Sequence, residues 1–175
     1  MPSVLGALVA ITTALSSSNA AAAEQQRITS AYTKLDLNDC RIEEQFEAGS
    51  VSQCPGYAGI PVFVDEGDLR FDVSAGSRGR ENVCRGSLNC SFNFPGKTVE
   101  WRLANGKPFA IIYRLEVSAD VSQDRKKSSR LLVETVGQDG CRIANIDGAG
   151  PEANAVARAA ADSALNGGAK CIDTE

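Results

Sequence analysis

The chain has 175 residues, a formal net charge of −4 and no histidine. Mild acidity argues against general nucleic-acid binding, which needs a basic face to neutralise phosphates. The missing imidazole excludes Ser-His-Asp and Cys-His catalysis in their usual forms.

The chain opens MPSVLGALVAITTALSSSNAAAAEQQ. Residues 4–15 are mostly apolar, serines and alanines follow, and Ala21 and Ala23 form an Ala-x-Ala cleavage pattern before Glu24. This order predicts a secretory signal over residues 1–23, although no Lys or Arg precedes the apolar run. The run is shorter than the roughly 20 residues a membrane-spanning helix needs, and no later run approaches that length. A periplasmic or secreted product with no membrane span after cleavage is expected. Residues 24–31 are expected to be flexible, and residues 32–175 to form a single disulfide-stabilised domain.

Tyr32, Leu35 and Leu37 give a short apolar rhythm running into Cys40. The stretch RIEEQFEAGSVSQ is compatible with either a helical turn or an irregular strand. In CPGYAG (residues 54–59), Pro55 fixes φ and Gly56 permits the positive φ of a tight turn. Val62 and Val64 then alternate, DEGD (residues 65–68) is expected to turn, and Leu69, Phe71 and Val73 read as one buried strand face. Val99, Trp101 and Leu103 form the next strand. Asn105-Gly106 signals a type I′ hairpin, whose two central residues need positive φ. The return strand places Phe109, Ile111, Tyr113, Leu115 and Val117 on one face. RLLVETV (residues 130–136) is a further strand, Asp139-Gly140 suggests another tight hairpin, and CRIANID (residues 141–147) is its partner. The alanine-rich segment from Pro151 to about Leu165 reads as a helix stopped by Gly167-Gly168, with Ala153, Val156, Ala160 and Ala164 as its packing stripe. The expected class is α+β: an antiparallel meander of about six strands with a C-terminal helix packed on the sheet.

All six cysteines, Cys40, Cys54, Cys84, Cys90, Cys141 and Cys171, follow the leader. An even set in an exported chain reads as a disulfide framework. Proximity favours Cys40–Cys54, Cys84–Cys90 and Cys141–Cys171. A framework of this kind makes Cys54 a fastener, since a reactive cysteine needs a free thiolate. No Cys-x-x-Cys unit occurs, and neither does the acidic spacing of a calcium loop, so no metal site is expected. Nucleotide motifs are missing as well, and no cofactor is predicted. Trp101 and Tyr113 sit on apolar strand faces and are read as core.

The motifs CPGYAGIPVFV, EGDLRF, and VEWRL leading through a hairpin into GKPFAIIYRL precede a cysteine-containing strand and an alanine-rich helix. Together these resemble a group of small exported proteins of Gram-negative bacteria, over roughly residues 32–174. The resemblance implies a secreted domain with cysteines at 40, 54, 141 and 171, Cys84 and Cys90 being an addition. It carries over no activity and no active-site residue.

For function, residues 75–97 stand out as a long basic stretch in an acidic chain. Arg78, Arg80, Arg85 and Lys97 are set against Glu81, a Cys84–Cys90 bridge would pin the middle, and Phe92 and Phe94 follow. Arginine and aromatic side chains are common interface anchors, so Arg78, Arg80, Arg85, Phe92 and Phe94 are the candidate partner-binding residues. Among carboxylates, Asp65, Glu66 and Asp68 share one expected turn, and Asp36 and Asp39 lie beside Cys40. A solvated turn does not raise a carboxyl pKa as acid–base hydrolysis requires. The expected function is a non-catalytic binding module for a protein or an envelope component. A carboxylate-dependent hydrolase and a structural envelope protein are the alternatives.

Overall fold

The computed structural model describes residues 26–78, 91–118 and 127–172. The elements run β1 (Ile28–Lys34), a 3-10 turn (Leu37–Asp39), β2 (Arg41–Phe46), β3 (Gly49–Tyr57), β4 (Ile60–Gly67), β5 (Arg70–Ala75) and β6 (Phe92–Ala104). They continue with β7 (Lys107–Ser118), β8 (Lys127–Thr135), β9 (Arg142–Asp147), α1 (Ala153–Ser163) and a closing 3-10 turn (Ala164–Asn166). The protein is α+β and disulfide-bonded, with Cys40 joined to Cys54 and Cys141 to Cys171. The described residues form nine strands in two antiparallel sheets, not six in one meander: β1-β6-β7-β8-β9 and β2-β3-β4-β5.

Two buried faces on the central strands create three layers. Val99, Trp101, Leu103, Ile111, Tyr113, Leu115 and Leu132 pack against Val62, Val64, Phe71 and Val73 of the smaller sheet. On the opposite face, Ala110, Ile112, Leu131 and Val133 receive Ala153, Ala157 and Ala161 of α1. Alanines spaced four apart lie along one side of a helix, and their small size lets the helix backbone approach the sheet closely. The contact stripe is therefore displaced from the expected one, and Val156 is 51% exposed.

Local chemistry explains the other departures. Ile28 to Ser30 belong to β1, paired with Leu103, Ala104 and Arg102 of β6, although residues 24–31 were expected to be flexible. The undecided stretch after Cys40 forms the β2–β3 hairpin. β4 runs on through Asp65 and Glu66 to Gly67, so the turn falls at Asp68 and Leu69, with φ of 51° and 60°. Leu69 thus leaves the core face expected for it and is 49% exposed. Phe109 lies at a register shift and packs on the helix side, opposite Ile111 and Tyr113. Asn105 and Gly106 turn as expected, with φ of 49° and 82°. Asp139-Gly140 makes no two-residue turn; the β8–β9 connection instead takes its positive φ at Gly137.

The CPGYAG motif is a bulged hairpin that seats on the core. The register of β3 against β4 shifts between Cys54 and Tyr57, and Ala58 and Gly59 turn with φ of 51° and 81°. A Cβ on Gly56 would stand 2.1 Å from the Ile60 carbonyl oxygen and 3.1 Å from the Trp101 ring. Only glycine fits there.

Candidate functional site

The predicted aromatic residues gather at one end of the sandwich. Phe92 and Phe94 lie in β6 itself, because the strand begins at Phe92 where a long loop to residue 97 was expected. Asn93 between them is buried and ties β6 to β5: its backbone N–H donates to the Leu69 carbonyl at 3.1 Å, and its Oδ1 accepts from the Phe71 N–H at 2.9 Å. With Asn93 turned inward, its neighbours are held at the rim. Phe94 is 55% exposed and meets Phe71 edge-on, with ring centroids 5.0 Å apart. The Arg70 guanidinium lies 4.6 Å from the centre of the Phe92 ring, within cation–π range.

Two neighbouring turns extend this rim. The Asp68 N–H donates to the Ala48 carbonyl at 2.8 Å, joining the β4–β5 turn to the β2–β3 turn. Leu69 projects from the first, and Phe46, 46% exposed, flanks the second. Gly49 makes room for Phe46, since a Cβ there would approach the Phe46 ring to 2.8 Å. Around these side chains stand Glu47, Glu66 and Glu116, none paired with Arg or Lys among the described residues. Among the described residues this end is thus apolar at its centre, with three carboxylates at its edge.

The arginines expected to act with these aromatics are placed otherwise. Arg78 ion-pairs with Glu44 at 2.7 Å, and Asp65 lies at 3.9 Å. The register explains this: Glu44, Val51, Asp65 and Asp72 form one row across β2 to β5, so three carboxylates share one sheet face. Arg78 faces Glu44 and Asp65 of this row from outside the sheet. Arg80, Arg85, Cys84 and Cys90 lie outside the described residues.

At the β5 end of that row, sequence analysis missed a cluster. Tyr113 donates its hydroxyl toward Asp72 Oδ1 at 2.9 Å and Glu134 Oε1 at 3.0 Å. Arg142 Nη2 donates to Glu134 Oε1 at 3.0 Å, to the Tyr113 oxygen at 3.2 Å, and to Asp72 Oδ1. One guanidinium faces two carboxyls in a nearly dry site. Burial, reinforced by the charge on Asp72, pushes Glu134 up to about 8, while Arg142 opposes the shift. The same burial, with both carboxylates, raises the Tyr113 phenol well above 10. Glu134 therefore keeps its proton to a higher pH than an ordinary carboxyl. A signal existed in the sequence: Glu134 has the same strand parity as Leu132, a charged residue on a face that should be apolar.

The remaining carboxylates are structural. Asp36 accepts from the Asn38 N–H at 3.1 Å and pairs with Lys34 at 2.7 Å; Asp39 lies 3.6 Å from Lys34. Asp68 pairs with Arg70. Cys54, opposite Val62 in the core, is bonded to Cys40. Among the described residues no group of three His, Cys, Asp or Glu side chains is disposed to hold a metal ion. No described helix is long and apolar enough to cross a membrane.

No protein-family model, curated protein or solved structure matches this chain.

Proposed function

We propose that the protein is an exported, non-catalytic binding module that docks a protein partner on the rim formed by Phe46, Leu69, Phe92 and Phe94. The carrying observation is the exposure of three large apolar side chains at one end of a rigid sandwich, each held out by backbone structure. Exposed apolar side chains gathered on linked turns and edged by polar groups are a feature of interaction sites. Leu69 adds to the argument: a branched, bulky residue at φ of 60° is strained, and strained positions cluster at functional sites. The acidic edge selects a partner segment that is both apolar and basic. Export is supported by the leader, by the resemblance to small exported proteins, and by two disulfides of the kind that persist in oxidising compartments.

A carboxylate-dependent hydrolase would find a carboxyl of raised pKa in Glu134, with Asp72 beside the same Tyr113 hydroxyl. Both already bond Tyr113 and Arg142 between the sheets, which favours the binding role.

Photo-crosslinking in native envelope extract tests the reading, with the crosslinker placed at Glu116, opposite Phe94. One adduct should form that is lost in Leu69→Ser/Phe94→Ser and kept in Val156→Ser, and it should weaken as salt is raised. An adduct unchanged by the double substitution would remove the rim from the function.

A further inference from the structure

A second region, which follows the aromatic rim along β6 and β7, has the features of a ligand site. The pairing of β6 with β7 jumps from Pro95–Leu115 to Val99–Tyr113, so Gly96, Lys97 and Thr98 bow out opposite a single residue, Arg114. The bow is fixed by the Leu35 N–H, which donates to the Lys97 carbonyl at 2.9 Å. Between this bulge and the first turn of α1 a cleft of about 210 Å³ opens, lined by Lys97, Glu100, Ile112, Arg114, Leu131 and Asn154. Strand bulges recur beside functional sites because they re-aim side chains and interrupt pairing.

The charges in the cleft do not cancel. Arg158 grips Glu100 with two bonds, 2.6 Å and 3.2 Å, and Ser30 adds a third at 2.6 Å, so that carboxylate is balanced. Arg114 differs from Arg102, Arg142 and Arg158, each of which faces a carboxylate. Its Nη1 donates to Ser129 Oγ and, at 3.0 Å, to the Gly148 carbonyl, both neutral acceptors. Among the described residues no carboxylate pairs with Arg114 or with Lys97 on the opposite wall. The half-buried guanidinium is held in place by neutral partners, with its remaining donors uncommitted. Two cations thus share a cleft in a chain of net charge −4. The floor is apolar, formed by Ile112 and Leu131, each 4% exposed.

We propose that this cleft binds a small organic monocarboxylate, its carboxylate on Arg114 and Lys97 and its short apolar body on Ile112 and Leu131. A guanidinium presents paired donors that match a carboxylate bidentately. A cleft of about 210 Å³ has room for a short chain or one ring.

The test is titration of the whole purified protein with sodium hexanoate and sodium benzoate, followed by amide chemical shifts. Saturable shifts should appear at Gly96, Leu131 and Asn154. Arg114→Gln should weaken binding about tenfold or more, and Lys97→Gln a few-fold, in line with a half-buried and an exposed charge. Hexanamide and inorganic phosphate are the controls: a neutral amide that binds equally well overturns the charge assignment, and phosphate binding without hexanoate overturns the apolar floor. Should Arg114→Gln fail to fold, Lys97→Gln and the amide comparison on the unaltered chain decide alone. Absence of saturable shifts at these residues overturns the site.

Discussion

The two arginine clusters on opposite faces of the five-stranded sheet differ in stoichiometry. Beneath α1, two arginines meet two carboxylates in forked pairs: Arg158 with Glu100, and Arg102 with Asp162 at 2.9 Å and 2.7 Å. The pairs are crossed, since the helix offers one cation and one anion while β6 offers the opposite ones. Between the sheets, one arginine meets two carboxyls and a phenol. Matched charges can all remain ionised. Among the described residues the second set has one cation for two carboxyls, and the more deeply buried carboxyl, Glu134, is the one whose pKa is raised.

Removing Arg142 breaks the comparison most severely. Arg142→Ala takes the guanidinium from the buried Glu134 and the half-buried Asp72, leaving them the Tyr113 hydroxyl, and should cost about 3–5 kcal/mol, as loss of one partner of a buried ion pair does. Denaturant unfolding at pH 7 measures it; a loss near that of an exposed pair would mean the cluster is better hydrated than its burial indicates.

The proton on Glu134 makes a prediction of sign. Its native pKa of about 8 lies above the usual 4.5, so between those values the unfolded state has released a proton that the folded state retains. This group's contribution to stability therefore falls as pH rises through that window and levels off above about 8. The slope is at most about 1.4 kcal/mol per pH unit, the value for one proton. Glu134→Gln keeps an oxygen that accepts from Tyr113 and Arg142 and should flatten the curve, leaving the variant relatively more stable at pH 8.5 than at pH 5. Parallel curves for the two proteins would show that Glu134 is ionised in the native state.

The smallest effect belongs to the matched face. Arg158 has a side chain 40% exposed, and solvent screening limits Arg158→Ala to about 1 kcal/mol, with little pH dependence near neutrality. A loss as large as that for Arg142→Ala would make the crossed pairs the main anchor of α1. The alternative anchors are the alanine stripe and the Cys141–Cys171 bridge, the latter contributing about 3–4 kcal/mol in the chain-entropy model.

How far the candidate sites were legible follows the same division. Phe92 and Phe94 stood out as aromatic residues beside a basic stretch, but their companions did not. Leu69 read as core because its strand parity matched Phe71 and Val73, and a turn two residues later than expected reversed that assignment. Phe46 lay in a stretch whose period favoured neither helix nor strand. Lys97 was grouped with the arginines before it, whereas its position opposite Arg114 comes from a bulge that leaves no mark in the period of β6.

By itself, the sequence determined what depends on neighbours along the chain: the strands from Val62 to Asp147, the turn at Asn105-Gly106, the alanine helix with its glycine stop, and two disulfides that link nearby cysteines. These follow from side-chain alternation, backbone φ preferences and short loop closure. Tertiary structure alone decided the division into two sheets, the pairing of β1 with β6 across some seventy residues, and the meeting of Arg142 with Asp72. Those contacts join distant segments whose local pattern is indifferent to the partner, and their free energy exists only once both surfaces have left water.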